Sequence, residues 1–499
     1  MVLNSISYLL FLVITFLLFL VVPKRYRWVV LLIASVLFYS FLKKLELIIT
    51  LLIVILMAFS FGRQLAKKTI SPKNRTNLLI IAILLILSPL FFLRYLIVLV
   101  RTIVPFWPDA GIITPFLQSL STIGISFFIF QAISYLIDIY LEIITPESHL
   151  GHFALSLSFF PKILQGPIER SGNLLPQLND NWEIDYQNIR LGLLKIGKGL
   201  LLKVLIADRL ALVIDPIFNN IQSYSGLPLI FTVYLYSFQI YLDFLAYTEI
   251  ALGSAKCFNI NLTNNFNKPY LAISIADFWR RWHITFSKWI LDYIFKPLQM
   301  KWRNHRYLGV FAALLITFII SGIWHGPKWT FLVWGLLHGF YLVIENLLSP
   351  IEKKAIKKYS LGKSQIIKIL RVIVTFNLVS FAWIFFRSNS IKDALYIISH
   401  LFVNLPSQLV KLNLSTISIP LIKELIHPLL LGQGVLQIVA IIIMLVVFSI
   451  YSIWEDPKLE KGISYIRSNL LRWSIYYALI IITLIFGIYN PSQFIYFNF

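Results

Sequence analysis

Two apolar runs, 307–322 and 329–347, are separated by only Ile323-Trp324-His325-Gly326-Pro327-Lys328. Apolar runs of this length, set so close together, fold as a helical hairpin in lipid, where the backbone has no hydrogen-bond partner but itself. A bilayer also penalises ionisable groups, so a histidine at that turn marks a functional site. Gly322 and Gly326 permit close backbone approach, and Pro327 biases Gly326 away from helix. Such a break can present His325 from a rigid support. Histidine suits proton transfer near neutral pH, its unperturbed pKa being about 6.5. The alternative reading of the turn is a hydrogen-bonded structural histidine.

The rest of the chain agrees with a membrane setting. Of 499 residues, 58% are hydrophobic and 13% charged, against roughly 25% charged in soluble domains. The expected fold is all-α and polytopic. About eleven membrane-spanning helices are predicted, with re-entrant or interfacial helices among them. The further runs are 5–22, 28–42, 46–61, 77–100, 120–144, 189–220, 228–256, 369–386, 434–453 and 473–490. The first is preceded by no lysine or arginine and is followed by Lys24, Arg25 and Arg27, which fits a membrane helix better than a cleavable signal. Segment 152–168, broken by Pro161, Gly166 and Pro167, reads as a re-entrant or interfacial element. Segment 388–432 reads as lying along the outer interface. The single Cys257 excludes an internal disulfide and argues against a thiol relay.

A net charge of +22 raises nucleic acid as a partner, but the positions of the basic residues argue against it. They cluster in short loops: Arg63 to Arg75, Lys296 to Arg306, Lys353 to Lys368 and Lys458 to Arg472. That is the pattern of cytoplasmic loops contacting anionic lipid. With 63–75, 296–306 and 352–368 inside, both termini are predicted outside the cytoplasm. No internal repeat is visible, which weighs against an inverted-repeat transporter.

A second histidine, His283, lies in Asp277-Phe278-Trp279-Arg280-Arg281-Trp282-His283. Trp279, Trp282, Phe286, Trp289 and Tyr293 recur at spacings of 3 and 4, which predicts one amphipathic helix over 277–298. Arg280, His283 and Ser287 form a separate polar stripe, and Lys288 and Asp292 an i,i+4 pair. The pattern describes either an interfacial helix with a tryptophan belt or a helix lining a wet cavity with His283 facing in. His338, flanked by Gly335 and Gly339, reads as a helix-to-helix hydrogen bond. Gln239 and Asp243 share a face of the 228–256 run. An acid there needs an arginine, a histidine or water. Asp138 and Gln131 in the 120–144 run are similar. None of the eight histidines makes a metal-ligand spacing, so no metal is expected.

These residues resemble the membrane-bound O-acyltransferase family, in its branch of alginate O-acetyltransferases and the related D-alanyl transfer protein of teichoic acid synthesis. The resemblance rests on the runs at 126–135, 159–170 (FFPKILQGPIER) and 238–244 (FQIYLDF), and on DFWRRWHITFSKW at 277–289 with GIWHGPKWTFLVWGLLHG at 322–339. It covers roughly residues 120–345 as a core within a single domain, flanked by N-terminal helices in 1–119 and C-terminal helices in 346–499.

The resemblance implies a ring of membrane helices around a central tunnel, in the plasma membrane of a bacterium. It implies His325 and His283 as the catalytic pair, with Trp279, Arg280, Trp282, Ser287, Trp324, Gly326, Asp243, Gln239 and His338 lining or supporting the tunnel. The donor would be acetyl-CoA or a similar acyl thioester, with no permanently bound cofactor. The acceptor would be a hydroxyl of a cell-envelope polysaccharide, reached directly or through an acyltransferase partner outside the membrane. Lys296, Lys301 and Arg303 are candidates for steering the phosphates of coenzyme A. The sequence departs from the family pattern at Phe244-Leu245-Ala246-Tyr247-Thr248-Glu249, at Leu291, at Lys296-Pro297-Leu298-Gln299 and at Lys162. D-alanyl transfer to teichoic acid and a polysaccharide or lipid-carrier exporter without acyl transfer are the alternatives.

Overall fold

A computed structural model describes residues 2–104, 123–179, 182–358, 364–405, 435–454 and 468–489. All regular elements among them are helical. The chain begins with α1 (Ile6–Val21), α2 (Arg27–Ser40), α3 (Leu45–Leu65), α4 (Pro72–Arg94), α5 (Leu96–Ile103) and α6 (Ile125–Tyr140). Next come α7 (Leu150–Ser158), α8 (Ser171–Asn179), α9 (Tyr186–Leu201), α10 (Asp208–Asn219) and α11 (Leu227–Cys257). Then follow α12 (Ile275–Arg281), α13 (Ile284–Ile290), α14 (Lys296–Lys301), the hairpin of α15 (Arg306–His325) and α16 (Trp329–Lys358), and α17 (Gln365–Arg387). The last are α18 (Ile391–His400), α19 (Val435–Trp454) and α20 (Asn469–Phe486).

Among the described residues, α3, α4, α11, α15, α16, α17 and α20 are long and apolar enough to cross a membrane. Shorter apolar helices occur at Ile6–Val21, Ile125–Tyr140 and Val439–Ile450. The chain is thus a multi-pass membrane protein. Serine hydroxyls start several of these helices by accepting a backbone N–H, as Ser71 does from Asn74 ahead of Pro72 and Ser274 from Asp277. The 388–432 segment begins with α18, and its remainder past Leu405 lies outside the described residues, as does the C-terminal stretch 490–499.

The 189–220 run forms one rod from α9 to α10, interrupted by a π-helical turn at Leu202–Ala207. It packs on α11, which serves as the central post: 72% of its apolar window is buried, against 22% for α4. Glycines make this contact possible. A Cβ on Gly192 would come within 2.6 Å of the Gly253 carbonyl, and one on Gly253 within 2.4 Å of the Gly192 carbonyl. The irregular stretch 159–169 after α7 is buried throughout. Protein surrounds its non-helical backbone, one of the two settings, with a water-filled cavity, in which such backbone is tolerated at depth.

Two apolar clusters fill the interior. One joins α1 to α7 with Phe286, Trp289 and Trp324. The other joins the Leu202–Ala207 turn, α10 and α11 with Trp279, Trp282, Phe331, Trp334 and the end of α17. His283 and His325 stand on the seam between the two.

Candidate active site

The hairpin folds as expected, and its detail follows from three residues. His325 is the last residue of α15. Gly326 then takes φ 152°, ψ 176°, a backbone that L side chains avoid. A Cβ there would also lie 3.0 Å from the Phe331 ring. The turn folds back at once into α16, so His325 is held inside the protein at 4% exposure. Its ring packs edge-on against Trp324 (4.7 Å between centroids), Trp334 (4.9 Å) and Phe386 (5.0 Å), with Phe286 at 6.0 Å and Phe331 at 6.2 Å.

The 277–298 segment corrects the expectation of one continuous helix. It divides into two seven-residue helices, α12 and α13, at His283, which takes the left-handed conformation φ 40°, ψ 56°. For a non-glycine residue that costs about 1–2 kcal/mol, and such strain concentrates at functional sites. The break is held by two hydrogen bonds, one from outside the segment and one within it. Ile284 N donates to the Asn265 carbonyl (2.9 Å), and Ser287 Oγ donates back to the Trp282 carbonyl (2.9 Å). Helical spacing persists on each side, so Trp279, Trp282, Phe286 and Trp289 are all buried. The polar stripe does not persist. Arg280 is turned outward, its side chain 71% exposed and 4.0 Å from Asp277, so it does not line a cavity with His283. Asp292 pairs with Arg170 (3.1 Å) and Lys296 (2.8 Å) instead of Lys288.

His283 is 1% exposed. Its ring contacts Phe244 edge-on at 4.8 Å, Phe286 at 5.2 Å and Trp324 at 6.2 Å, and stacks on Phe127 at 6.4 Å. The two histidines come from different elements and share Phe286 and Trp324 as neighbours. His283 Nδ1 lies 3.4 Å from Asn265 Oδ1, which also accepts from Thr285 Oγ1 at 2.7 Å. His283 Nε2 is buried and has no hydrogen-bond partner. That nitrogen is therefore free for a reacting group while Asn265 fixes the other. Asn265 had no signal in the sequence beyond the polar run Thr263-Asn264-Asn265. We expect Asn265→Leu to lower turnover by roughly 10-fold, the equivalent of one lost hydrogen bond of about 1.4 kcal/mol. Turnover measured per folded molecule would check this, and an unchanged value would make Asn265 a purely structural residue.

The remaining expected residues divide clearly. His338 accepts from Trp279 Nε1 at 3.3 Å, the helix-to-helix hydrogen bond foreseen for it. Trp282 is buried against Phe278 and Trp383. Gln239 is buried, and its Oε1 has no partner. Asp243 forms an ion pair with a lysine. Its partner is Lys203 on the π-helical turn (2.7 Å), which also holds Asp208 (2.8 Å), all three side chains being 3% exposed or less. A lysine in the middle of the 189–220 run was the available clue, since intramembrane charges pair with one another. Lys296, Lys301 and Arg303 stand on the exposed end of this region.

Beside His283 lies a second polar group. Gln131 on α6 stands one turn past Phe127, and its side-chain oxygen accepts from Lys162 Nζ in the irregular stretch. Gln165 N donates to the Tyr247 hydroxyl (3.2 Å), one turn past Phe244 on α11, and neither polar atom of its own side chain has a partner. Ile168 N donates to Thr285 Oγ1 (3.0 Å). At the end of this track Tyr293 donates to Asp138 (2.6 Å).

The sequence is similar to those of known proteins. A model of the MBOAT, membrane-bound O-acyltransferase family matches residues 148–387, which include both histidines. The chain is 38% identical over 308 residues to a peptidoglycan O-acetyltransferase of Helicobacter pylori, covering 56% of this chain and 57% of that protein. It is 30% identical over 373 residues to a probable alginate O-acetylase AlgI of Pseudomonas syringae pv. tomato, covering 74% and 69%. It is 28% identical over 275 residues to a teichoic acid D-alanyltransferase of Bacillus subtilis, covering 54% and 69%. With its helical architecture, its buried histidine pair and these relatives, the chain belongs to the membrane-bound O-acyltransferase family of enzymes.

Proposed function

We propose that this protein moves an acyl group, acetyl in the first instance, from a cytoplasmic thioester to a hydroxyl of a polysaccharide or other cell-envelope polymer outside the membrane. The acceptor is reached directly or through an acyltransferase partner on the outer side. The observation that carries the reading is the pairing of His325 and His283, delivered by separate elements to shared aromatic neighbours deep in the protein. His325 accepts the proton of the acceptor hydroxyl as its oxygen attacks the thioester carbonyl carbon. The new C–O bond forms, the C–S bond breaks, and the proton passes to the departing thiolate. His283, anchored at Nδ1, presents Nε2 to the hydroxyl or to the oxyanion. The donor is a diffusible acyl thioester such as acetyl-CoA, and no cofactor stays bound.

Purified protein in vesicles, supplied with radiolabelled acetyl-CoA on the side of the Lys296–Arg306 loop, is the direct test. Label on a hydroxyl-bearing acceptor on the opposite side supports the proposal. Transport of polymer without acyl transfer would instead make the protein an exporter. Transfer of D-alanyl but not acetyl would place it with the teichoic acid enzymes. Neutralising Lys296, Lys301 and Arg303 together is expected to raise the donor KM several-fold with kcat retained, because long-range attraction acts on encounter. An unchanged KM at low salt would limit these residues to a role in topology.

A further inference from the structure

The end of α15 leaves its last carbonyls without helical partners, as every helix does. Here those carbonyls belong to the turn that carries His325: the Ile323 carbonyl accepts from Gly326 N (3.1 Å), and two consecutive residues at the junction of α4 and α5 bring side-chain donors to the Ile323 and His325 carbonyls. Arg94 Nη2 donates to the His325 carbonyl at 2.5 Å, and the Tyr95 hydroxyl donates to the Ile323 carbonyl. Arg94 is 8% exposed, and among the described residues no carboxylate lies within ion-pair range of it. The same guanidinium nitrogen lies 3.5 Å from the position a Cβ would occupy on Gly326. A buried cation with no acid beside it is costly. The negative end of the α15 dipole and the capped carbonyl account for its presence, because a cation at a helix C-terminus is stabilised there. Arg94 thus faces both sides of the residue pair on which the geometry of the turn depends.

We propose that Arg94, with Tyr95, is the positioning device of the catalytic turn: it acts through His325 by fixing the backbone from which the imidazole projects. This rests on the assignment of His325 as the base. It adds that the site is not complete within the family-matched residues 148–387, since the clamp comes from the junction of α4 and α5. A turn ending on Gly326 has no side chain of its own to hold it, and the φ of that glycine is available to few other residues. Without an external clamp, His325 would be carried by the least restrained backbone in the hairpin.

The test compares Arg94→Gln, Arg94→Lys and Tyr95→Phe in detergent-purified full-length protein, with acetyl-CoA as donor and rates expressed per monodisperse molecule. Arg94→Gln is expected to lose up to about 10²-fold in kcat, the scale of a misplacement near 1 Å, with the acetyl-CoA KM within about threefold. Arg94→Lys, which keeps the charge and one donor, should recover part of that loss, and Tyr95→Phe should lose several-fold. A readout that needs no turnover runs beside it: carbethoxylation of His325, followed by peptide mass spectrometry, should be faster in Arg94→Gln than in the parent. Parent-like kcat and an unchanged labelling rate in Arg94→Gln overturn the proposal. If that variant does not fold, parent-like kcat and labelling in Tyr95→Phe overturn it. If the parent protein itself fails to use acetyl-CoA, the proposed donor is wrong, and the labelling rates still decide the clamp.

Discussion

His325→Ala is expected to lower acyl transfer by on the order of 10²–10⁴-fold, the contribution of a positioned general base. The reasoning begins with placement. His325 ends a membrane helix, is 4% exposed, and is enclosed by Trp324, Trp334, Phe286, Phe331 and Phe386. Two other imidazoles share its aromatic neighbours: His283, whose Nδ1 is engaged by Asn265, and His338, whose Nδ1 accepts from Trp279. Removing the imidazole leaves no group at that turn able to take the hydroxyl proton. Alanine also opens a cavity among aromatic rings, which costs stability. His325→Gln, similar in length and still polar, separates the two effects. Both variants should insert and purify, and both should lose activity to a similar extent. Rates are to be measured with saturating thioester and normalised to folded protein. Activity close to that of the parent in a folded His325→Gln would remove the base from the mechanism.

Particular residues show how far the sequence could be read. The hairpin was legible because its signals are local. Apolar runs fix the two helices, and Gly326-Pro327 fixes where α15 stops. The helix over 277–298 was misjudged for an instructive reason. Trp279, Trp282, Phe286 and Trp289 keep helical spacing and all are buried, yet the backbone breaks between the second and third of them. Periodicity reports which side chains face the core, and here the core lies on the same side of both pieces. The break itself is imposed by Asn265, which is 18 residues upstream of His283 and has no periodic signature. Arg280 was placed with His283 only because one helix was assumed. The partners of His325 at Arg94 and Tyr95 are separated from it by 231 and from Ile323 by 228 residues, beyond the reach of any local rule. The π-helical turn at Leu202–Ala207 has no pattern by which it could be foreseen, although Lys203 within it announced a buried acid elsewhere.

That lysine sets the second large effect. Lys203→Met is expected to destabilise the protein by about 3–5 kcal/mol, the cost of removing one partner from a buried ion pair. Lys203 Nζ lies between Asp243 Oδ1 at 2.7 Å and Asp208 Oδ1 at 2.8 Å, and none of the three side chains is more than 3% exposed. Without the ammonium, two carboxylates remain close together in a low-dielectric interior, so repulsion adds to lost solvation. Asp243→Asn removes one acid and leaves a balanced Lys203–Asp208 pair, so it should cost distinctly less. The triple variant Lys203→Met, Asp208→Asn, Asp243→Asn removes every charge and should recover much of the loss, as replacing a whole buried network often does. The effect reaches the site because Asp243 adjoins Phe244, whose ring meets His283 edge-on at 4.8 Å. The triad ties the π-helical turn to α11 and so fixes the helix that carries that ring. Denaturant unfolding in detergent, with a folding-sensitive tryptophan signal, should rank the variants Lys203→Met least stable, then the triple, then Asp243→Asn. Equal stability of Lys203→Met and Asp243→Asn would show that the lysine does not neutralise both acids, and that the π-helical turn is held by packing alone.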